Sequence, residues 1–178
     1  VKSLKEFSHV DSTDWQEADI TQGIESTLRI LSNELKYKAE VVRHYAPDLP
    51  HIYCQPMQLN QVFMNLLVNA AQAIETFGKI EVSVREVDNA LEIKVQDSGS
   101  GIAPEHLKRI FEPFFTTKPV GKGTGLGLSL SYSIIHRHQG QIKVTSELGK
   151  GTCFTLHLPL LTPEMLTDAE NSVRSDLV

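Results

Sequence analysis

Residues 97–128 read DSGSGIAPEHLKRIFEPFFTTKPVGKGTGLGL and place one carboxylate and two glycine clusters around a loop. The first cluster, Gly99 and Gly101, directly follows Asp97. The second has a glycine at every other position: Gly121, Gly123, Gly125 and Gly127. Glycine lets a ligand approach the backbone closely, and a helix start offers unpaired N–H groups to phosphate oxygens. The stretch therefore predicts a nucleotide site. Neither GxxxxGK[ST] nor GxGxxG occurs in it, which disfavours a P-loop or an ordinary dinucleotide fold.

Bulk composition predicts one main globular domain. The chain has 178 residues, 40% of them hydrophobic and 22% charged, and it carries a net charge of −5, which argues against a nucleic-acid surface. Cys54 and Cys153 show neither disulfide nor metal-ligand spacing and suit a reducing compartment. We therefore expect a cytoplasmic domain without membrane contact of its own. Since the sequence begins at Val1 rather than methionine, we expect a piece of a longer protein, which leaves open whether the parent is membrane-anchored.

Three segments are expected along the chain. Residues 1–18 resemble the end of a longer helix followed by a linker, residues 19–161 form the main domain, and residues 162–178 form a frayed tail or short surface helix. Asp19 is placed to cap the first helix of the domain. Residues 40–46 and 51–54 are short β-like runs separated by Pro47 and Pro50, and they are predicted to form a strand pair or hairpin.

Residues 57–74 predict a helix enclosed on two faces. This segment has no charged residue, and Leu59, Val62, Phe63, Leu66, Ala70, Ala73 and Ile74 share one helical face. Amides occupy roughly the opposite face, namely Gln58, Gln61, Asn65, Asn69 and Gln72. A surface helix would normally carry Lys and Glu there, so the amides indicate contact with a polar object that needs donors and acceptors. A buried amide network or a helix interface is the alternative interpretation.

Strand parity aims two polar side chains at the core. Residues 80–87 and 91–96 alternate as strands, and Asp97 continues the inward parity of Leu91, Ile93 and Val95. A buried carboxylate needs hydrogen-bond donors, either protein N–H groups or a ligand amine such as that of adenine. In the last strand, residues 152–158, Thr152 has the inward parity and could join Asp97 around the same ligand.

The segment between the glycine clusters predicts a lid. Phe111, Phe114 and Phe115 come within five residues, and core packing is expected for at least one of them. The threonines, Lys118 and glycines that follow are too flexible in composition to be held by their own packing. A helix is predicted from Gly125 to His138, with Leu126, Leu130, Ile134 and Ile135 on one face and its N-terminus facing phosphates.

Taken together, these motifs resemble the ATP-binding catalytic domain of bacterial sensor histidine kinases, in the superfamily shared with gyrase, Hsp90 and MutL. QVFMNLLVNAAQAI is similar to that family's asparagine box, DSGSGI to its first glycine box, FEPFFTT to its phenylalanine box, and GKGTGLGL and GKGT to its later glycine boxes. The order and spacing agree over about residues 55–159. The stub SLKEFSHV and the Trp15 segment resemble, more weakly, the connection from a dimerisation helix in nitrogen-regulator-type sensors.

The resemblance implies a fold of the α+β class. It is a two-layer α/β sandwich of the Bergerat type, with a mixed, mainly antiparallel sheet, three main helices on one face and a flexible ATP lid. It also implies that ATP and Mg²⁺ are bound, and that the γ-phosphoryl group passes to a histidine on a dimerisation domain outside this chain. The parent is expected to be a homodimer that signals to a response regulator in a two-component system.

The resemblance also assigns roles to individual residues. Asn69 would coordinate Mg²⁺, with Asn65 as a phosphate-side catalytic partner one turn earlier. Asp97 would accept the adenine amine, and Thr152 would hold both Asp97 and the adenine ring. Lys118 would neutralise phosphate charge from the lid. The remaining nucleotide contacts would come from Gly99, Gly101, Ile102, Thr117, Gly123, Thr124, Gly125, Leu126 and Gly127.

Two departures from the family pattern bear on the reaction. The gyrase and Hsp90 branch has a water-activating glutamate where this chain has Asn65, a poor base, so transfer is favoured over hydrolysis. The phosphoacceptor motif, a histidine followed by Asp or Glu, is absent, so the acceptor is expected outside the chain. Three alternatives stay open: a serine-phosphorylating switch kinase of the anti-sigma type, a hydrolysing chaperone or topoisomerase ATPase, and a module that binds ATP without transferring it.

Overall fold

The computed structural model describes residues 14–117 and 125–166. Its strands are β1 Gln16–Ala18, β2 Ala39–Tyr45, β3 Ile52–Cys54, β4 Gly78–Val87, β5 Ala90–Asp97, β6 Gln141–Glu147 and β7 Gly151–Pro159. Its helices are α1 Ile20–Ile30, α2 Ser32–Leu35, α3 Pro56–Ala73, α4 Pro104–Leu107 and α5 Gly127–Arg137. None of the helices among the described residues has the length and apolar character needed to cross a bilayer.

The main sheet has five strands in the order β2-β4-β5-β7-β6. Only the β2–β4 pair is parallel, and the other pairs are antiparallel. Asp88 and Asn89 both have positive φ in the tight turn between β4 and β5, the geometry that hairpin turns favour. The mixed, mainly antiparallel sheet and its helical layer confirm the predicted fold class.

Side chains of alternating parity on β4, β5 and β7 form the buried face of the sheet. Opposite them lies α3, which packs against both α1 and α5. Its core residues Leu59, Val62, Phe63, Leu66 and Ala70 are all buried, as the apolar periodicity predicts. Pro56 occupies the first turn of α3, where a missing N–H costs nothing. The long amide helix is therefore fixed against the sheet along its length.

The N-terminus of α1 is fixed by the predicted cap. Asp19 has extended backbone geometry, and its side chain accepts a hydrogen bond of 2.9 Å from the backbone N–H of Thr21. This contact satisfies one of the backbone N–H groups of the first turn that have no partner within the helix. Hydrogen bonding also lowers the pKa of Asp19, with the Thr21 hydroxyl as its largest cause.

The predicted hairpin of residues 40–46 with 51–54 is wrong. β2 pairs along all seven of its residues with β4, whereas β3 pairs antiparallel with β1, so that Gln16 lies opposite Cys54. The ten-residue β4 offers β2 a partner for every residue, and the three-residue β3 cannot. A longer ladder with more hydrogen bonds thus replaces the pairing that is local in sequence.

Segment β1 lies inside the predicted linker but is attached to the domain. Trp15 stacks on Tyr53 of β3, with ring centroids 5.9 Å apart, and its ring is 4.7 Å from that of His138. His138 is itself buried, accepting at Nε2 from the backbone N–H of Gln55 and donating from Nδ1 to the carbonyl of Ile134. The boundary predicted between residues 18 and 19 stays a prediction.

Helix α5 is shorter than predicted and buries only part of the predicted face. It begins at Gly127, and Ile134 and Ile135 are buried, but Leu126 and Leu130 are 41% and 46% exposed. The side of α5 that faces the core is filled by Ser131, Ile134 and Ile135, so the preceding turn extends beyond the packed layer. The four apolar residues predicted on one face therefore differ in burial: the two isoleucines are buried and the two leucines are exposed.

Candidate functional site

A cavity of about 620 Å³ lies among α3, the end of β5, the loop after it, the start of α5 and β7. It brings together most of the residues predicted to form the site. Those lining it are Asn65, Asn69, Asp97, Gly101, Ile102, Thr117, Gly125, Gly127 and Thr152. Gly99 and Leu126 do not line the cavity: the backbone N–H of Gly99 donates to Asp97, and the Leu126 side chain is exposed. Lys118, Gly123 and Thr124 fall outside the described residues.

Asp97 is buried at the end of β5, as its parity predicts. The residue is 5% exposed, and its Oδ1 accepts a hydrogen bond of 2.8 Å from the backbone N–H of Gly99. Burial raises the pKa of Asp97, and hydrogen bonds from the backbone N–H groups of Gly99 and Thr152 oppose that rise. A carboxylate held this way is a strong acceptor at the wall of the cavity, suited to an N–H donor on a ligand.

Gly99 is required by close packing against α3. A Cβ at this position would lie 2.5 Å from the carbonyl oxygen of Ala73, which is closer than real Cβ contacts. That same carbonyl accepts a hydrogen bond of 2.9 Å from the backbone N–H of Ser100. The loop after Asp97 is therefore held against the last turn of the amide helix, which brings the carboxylate and the amides to one cavity.

Thr152 lies opposite Asp97 in the register of β5 and β7 and is 5% exposed. Its hydroxyl is 2.8 Å from the Oγ of Ser146 on β6. Ser146 also accepts from the backbone N–H of Ile102 at 2.8 Å and donates to the carbonyl of Gly151 at 2.9 Å. This serine thus joins three parts of the cavity wall.

Ser146 was missed by sequence reasoning, although a signal was present. In β6, Ile142 and Val144 are partly buried apolar residues against the core, and Ser146 continues their parity. A polar residue ending an inward-facing set is the same pattern that indicated Asp97. Other lining residues, such as Ser100 and Ile110, carry no such signal, because they reach the cavity through the packing of loops.

The amide face of α3 borders the cavity with Asn65, Asn69 and Gln72. Asn65 is held within the protein: its Nδ2 donates to the carbonyl of Gly127 at 3.1 Å and to the Oγ of Ser131 at 3.3 Å. Its Oδ1 accepts from Nε2 of Gln61 at 3.1 Å. Asn65 therefore ties α3 to the first turn of α5 and fixes the helix end at which phosphates are expected.

At the cavity, the side chain predicted to hold a divalent cation is the amide of Asn69. Within residues 14–117 and 125–166, no group of three or more His, Cys, Asp or Glu side chains could hold a metal ion. The side-chain oxygen of Asn69 at the cavity is a hard donor of the kind that Mg²⁺ accepts, and Mg²⁺ commonly takes few protein ligands together with phosphate oxygens. The donor set fits an ion that arrives with a nucleotide.

Phe114 and Gly125 join the two ends of the predicted lid. The backbone N–H of Phe114 donates to the carbonyl of Gly125 at 2.9 Å, and both residues have positive φ. Of the three phenylalanines, Phe111 packs near Phe154, Phe115 lines the cavity, and Phe114 is 74% exposed. The expected core packing is met by Phe111. The middle of the lid, residues 118–124, lies outside the described residues.

A family model described as histidine kinase-, DNA gyrase B- and HSP90-like ATPase matches residues 54–162. Sporulation kinase E of Bacillus subtilis is 41% identical over 148 residues, which cover 82% of this chain and 20% of that protein. Sensor histidine kinase ZraS of Escherichia coli is 42% identical over 146 residues, covering 82% of this chain and 31% of that protein. The chain therefore spans less than a third of the length of these relatives.

Two solved structures share the architecture. The nucleotide-free catalytic domain of the histidine kinase ThkA has a TM-score of 0.75 and 28% identity, covering 83% of this chain and 96% of that one. Full-length ShkA in complex with AMPPNP has a TM-score of 0.75 and 27% identity, covering 85% of this chain and 32% of that one.

Proposed function

Since this chain belongs to the histidine kinase-, DNA gyrase B- and HSP90-like ATPase family, we propose that it is the catalytic domain of a sensor histidine kinase that binds Mg-ATP. The buried Asp97 at the wall of the 620 Å³ cavity is the observation that carries this proposal. A buried carboxylate is costly unless donors meet it, and two backbone N–H groups leave it with further acceptor capacity. The exocyclic amine of adenine supplies a donor of that kind.

The remaining residues support a triphosphate that extends from Asp97 towards α5. Gly125 and Gly127 lie at the cavity beside the N-terminus of α5, where N–H groups and the helix dipole favour phosphate oxygens. Asn69 would hold Mg²⁺, which supplies neutralisation of phosphate charge when bound. Thr117, Lys118, Gly123 and Thr124 would complete the phosphate contacts from the lid. Gly101 and Ile102 would face the base beside Asp97 and Thr152.

Asn65 favours transfer over hydrolysis. Phosphoryl transfer needs positioning and charge neutralisation more than covalent chemistry, whereas hydrolysis in this superfamily needs a base for water. An amide is a poor base, and both polar atoms of Asn65 contact protein groups. We assign Asn65 to the catalytic machinery because it fixes the start of α5 against α3, and Lys118 because its charge would neutralise the transferred group.

The phosphoryl acceptor is proposed to be a histidine on the dimerisation domain of the same parent protein. None of the seven histidines in this chain is followed by Asp or Glu. The parent would act as a homodimer in the cytoplasm, with a response regulator as the next acceptor.

The test combines the 178-residue chain with the histidine-bearing dimerisation domain of its parent and ATP labelled at the γ-phosphate. We expect label on the acceptor domain as acid-labile phosphohistidine, lost when the acceptor histidine is replaced by alanine. Acid-stable phosphoserine would instead support a switch kinase, and free phosphate alone would support an ATPase. Nucleotide binding with neither product would leave only a sensing module, so each of these three results contradicts the proposal.

A further inference from the structure

We propose that Ser146 is a positioning residue that fixes the Thr152 hydroxyl as a hydrogen-bond acceptor towards the base, and thereby sets the selectivity of the cavity for 6-amino purines. The proposal rests on the adenine site inferred above. Its basis is the set of contacts around one oxygen: Ser146 Oγ lies 2.8 Å from the N of Ile102, 2.9 Å from the O of Gly151 and 2.8 Å from the Oγ1 of Thr152.

The proton of each hydroxyl can be assigned by counting donors. Ser146 has a single hydroxyl proton, and the carbonyl of Gly151 can only accept, so that proton belongs to the Ser146–Gly151 bond. Ile102 contributes a backbone N–H and therefore donates to Ser146. With its proton used, Ser146 Oγ can only accept from Thr152. The Thr152 hydroxyl consequently points its proton at Ser146 and leaves its lone pairs for other partners.

This assignment makes Thr152 an acceptor, like the neighbouring Asp97. Thr152 lines the cavity beside Asp97, its partner in the strand register, and both then present oxygen acceptors. A 6-amino purine, or a water bound beside it, offers N–H or O–H donors to these oxygens. A 6-oxo purine places an acceptor at position 6, so this oxygen faces acceptors, and its own donor is the N1–H at the neighbouring ring position. Desolvated polar groups left unpaired in this way are penalised strongly.

Ser146 also holds the loop that follows Asp97, because it accepts from the backbone N–H of Ile102. Its removal is therefore expected to lower stability and the affinity for every nucleotide. A purely structural role would lower the affinities for all purine nucleotides in parallel. The distinguishing readout is the ratio of affinities for ATP and inosine triphosphate, which differ in the 6-substituent and in the proton on N1 and share ribose and triphosphate.

The experiment measures dissociation constants of Mg-ATP and Mg-inosine triphosphate for the 178-residue chain and for Ser146→Ala. With alanine, the Thr152 hydroxyl is free to rotate and donate to a 6-oxo group. We expect the preference for ATP to fall by about fivefold to tenfold, the equivalent of one hydrogen bond. Thr145→Ala removes a hydroxyl from the adjacent, exposed position on the opposite face of β6 and is expected to leave the ratio unchanged.

A second variant tests the route through Thr152. Thr152→Val should lower the same ratio, and adding Ser146→Ala to it should lower the ratio no further. If thermal unfolding shows that Ser146→Ala is not folded, the affinity ratio of Thr152→Val is the result that tests the proposal. An unchanged ratio in the alanine or the valine variant, or a further fall in the double variant, overturns the role of Ser146. Equal affinities of the unmodified chain for the two nucleotides would instead contradict the adenine site itself.

Discussion

Asp97 combines a cost to stability with a gain for binding. Burial raises the pKa of its carboxyl group above the usual value of 3.8, so the folded protein holds this proton more tightly than the unfolded chain does. Around neutral pH the ionised, buried carboxylate therefore lowers the stability of the ligand-free fold. A ligand amine that donates to the carboxylate offsets this loss of stability.

We expect Asp97→Asn to stabilise the ligand-free chain at pH 7 and to abolish its preference for adenine nucleotides. Below the usual carboxyl pKa, Asp97 is protonated in both the folded and the unfolded chain, and its burial carries no charge penalty. The penalty to folding grows as pH rises from the usual pKa to the raised pKa of the folded state. Urea unfolding of both proteins across this pH range should show a stability gap that opens with rising pH. A gap that closes with rising pH, or unchanged ATP preference, would contradict this account of Asp97.

Asn69 is expected to act through the metal ion. Asn69→Ala should weaken binding of Mg-ATP by about tenfold and that of metal-free ATP much less, because the side chain removed is the one that would hold the ion. Calorimetric titration with Mg²⁺ and with a chelator measures both affinities. Gln58→Ala, in the first turn of α3 and outside the cavity lining, is the matched control. Equal losses of the two affinities would show that Asn69 is not a metal ligand.

At the scale of elements, Phe114 contacts Gly125 two residues before α5 begins. Gly125 has a φ of 68°, and a Cβ there would collide with the backbone of Phe114. Gly149 has a φ of 79° in the turn between β6 and β7, yet a Cβ there would meet nothing within 4 Å. The two glycines share a left-handed backbone and differ in the space beside them.

We expect Gly125→Ala to reduce ATP affinity by at least about tenfold, because a shift at Phe114 would move the helix end that we propose binds phosphates. Gly149→Ala should lose only roughly 1–2 kcal/mol of stability, the usual cost of a left-handed alanine, with ATP affinity retained. Chemical unfolding and nucleotide titration of both variants provide the comparison. Equal affinities in the two variants would show that the contact of Gly125 with Phe114 does not position the nucleotide.

Hydrophobic periodicity predicted which residues of a strand or helix face the core. The parity of β5 and β7 predicted that Asp97 and Thr152 face the core, where the structure pairs them, and the apolar pattern of α3 identified its core face. The pairing of β2 failed because a strand's partner depends on which edge offers the longer ladder, here β4. Leu126 and Leu130 are exposed although they share the period of Ile134, because helical period does not reveal where the packed layer ends. Ser146 was missed because its role arises from a loop that docks onto β6.

At the scale of the whole molecule, elements that are distant in sequence surround one cavity. The sheet and its helical layer place the amides of α3, the carboxylate of β5 and the N-terminus of α5 around one cavity. Trp15, which packs on Tyr53 and His138, attaches the segment of β1 to the same body. Motifs separated by up to about a hundred residues in sequence thereby form a single site, which is why five boxes in register indicated the family better than any one of them.

The central claim is that the Asp97 carboxylate accepts a hydrogen bond from the exocyclic amine of adenine while the triphosphate extends to α5. It is tested most directly by a crystal structure of this chain with Mg²⁺ and a non-hydrolysable ATP analogue. We predict that the exocyclic amine lies about 3 Å from the Asp97 carboxylate, with the phosphates at Gly125 and Gly127 and the ion beside Asn69. A base bound away from Asp97, or phosphates directed away from the N-terminus of α5, would contradict the account.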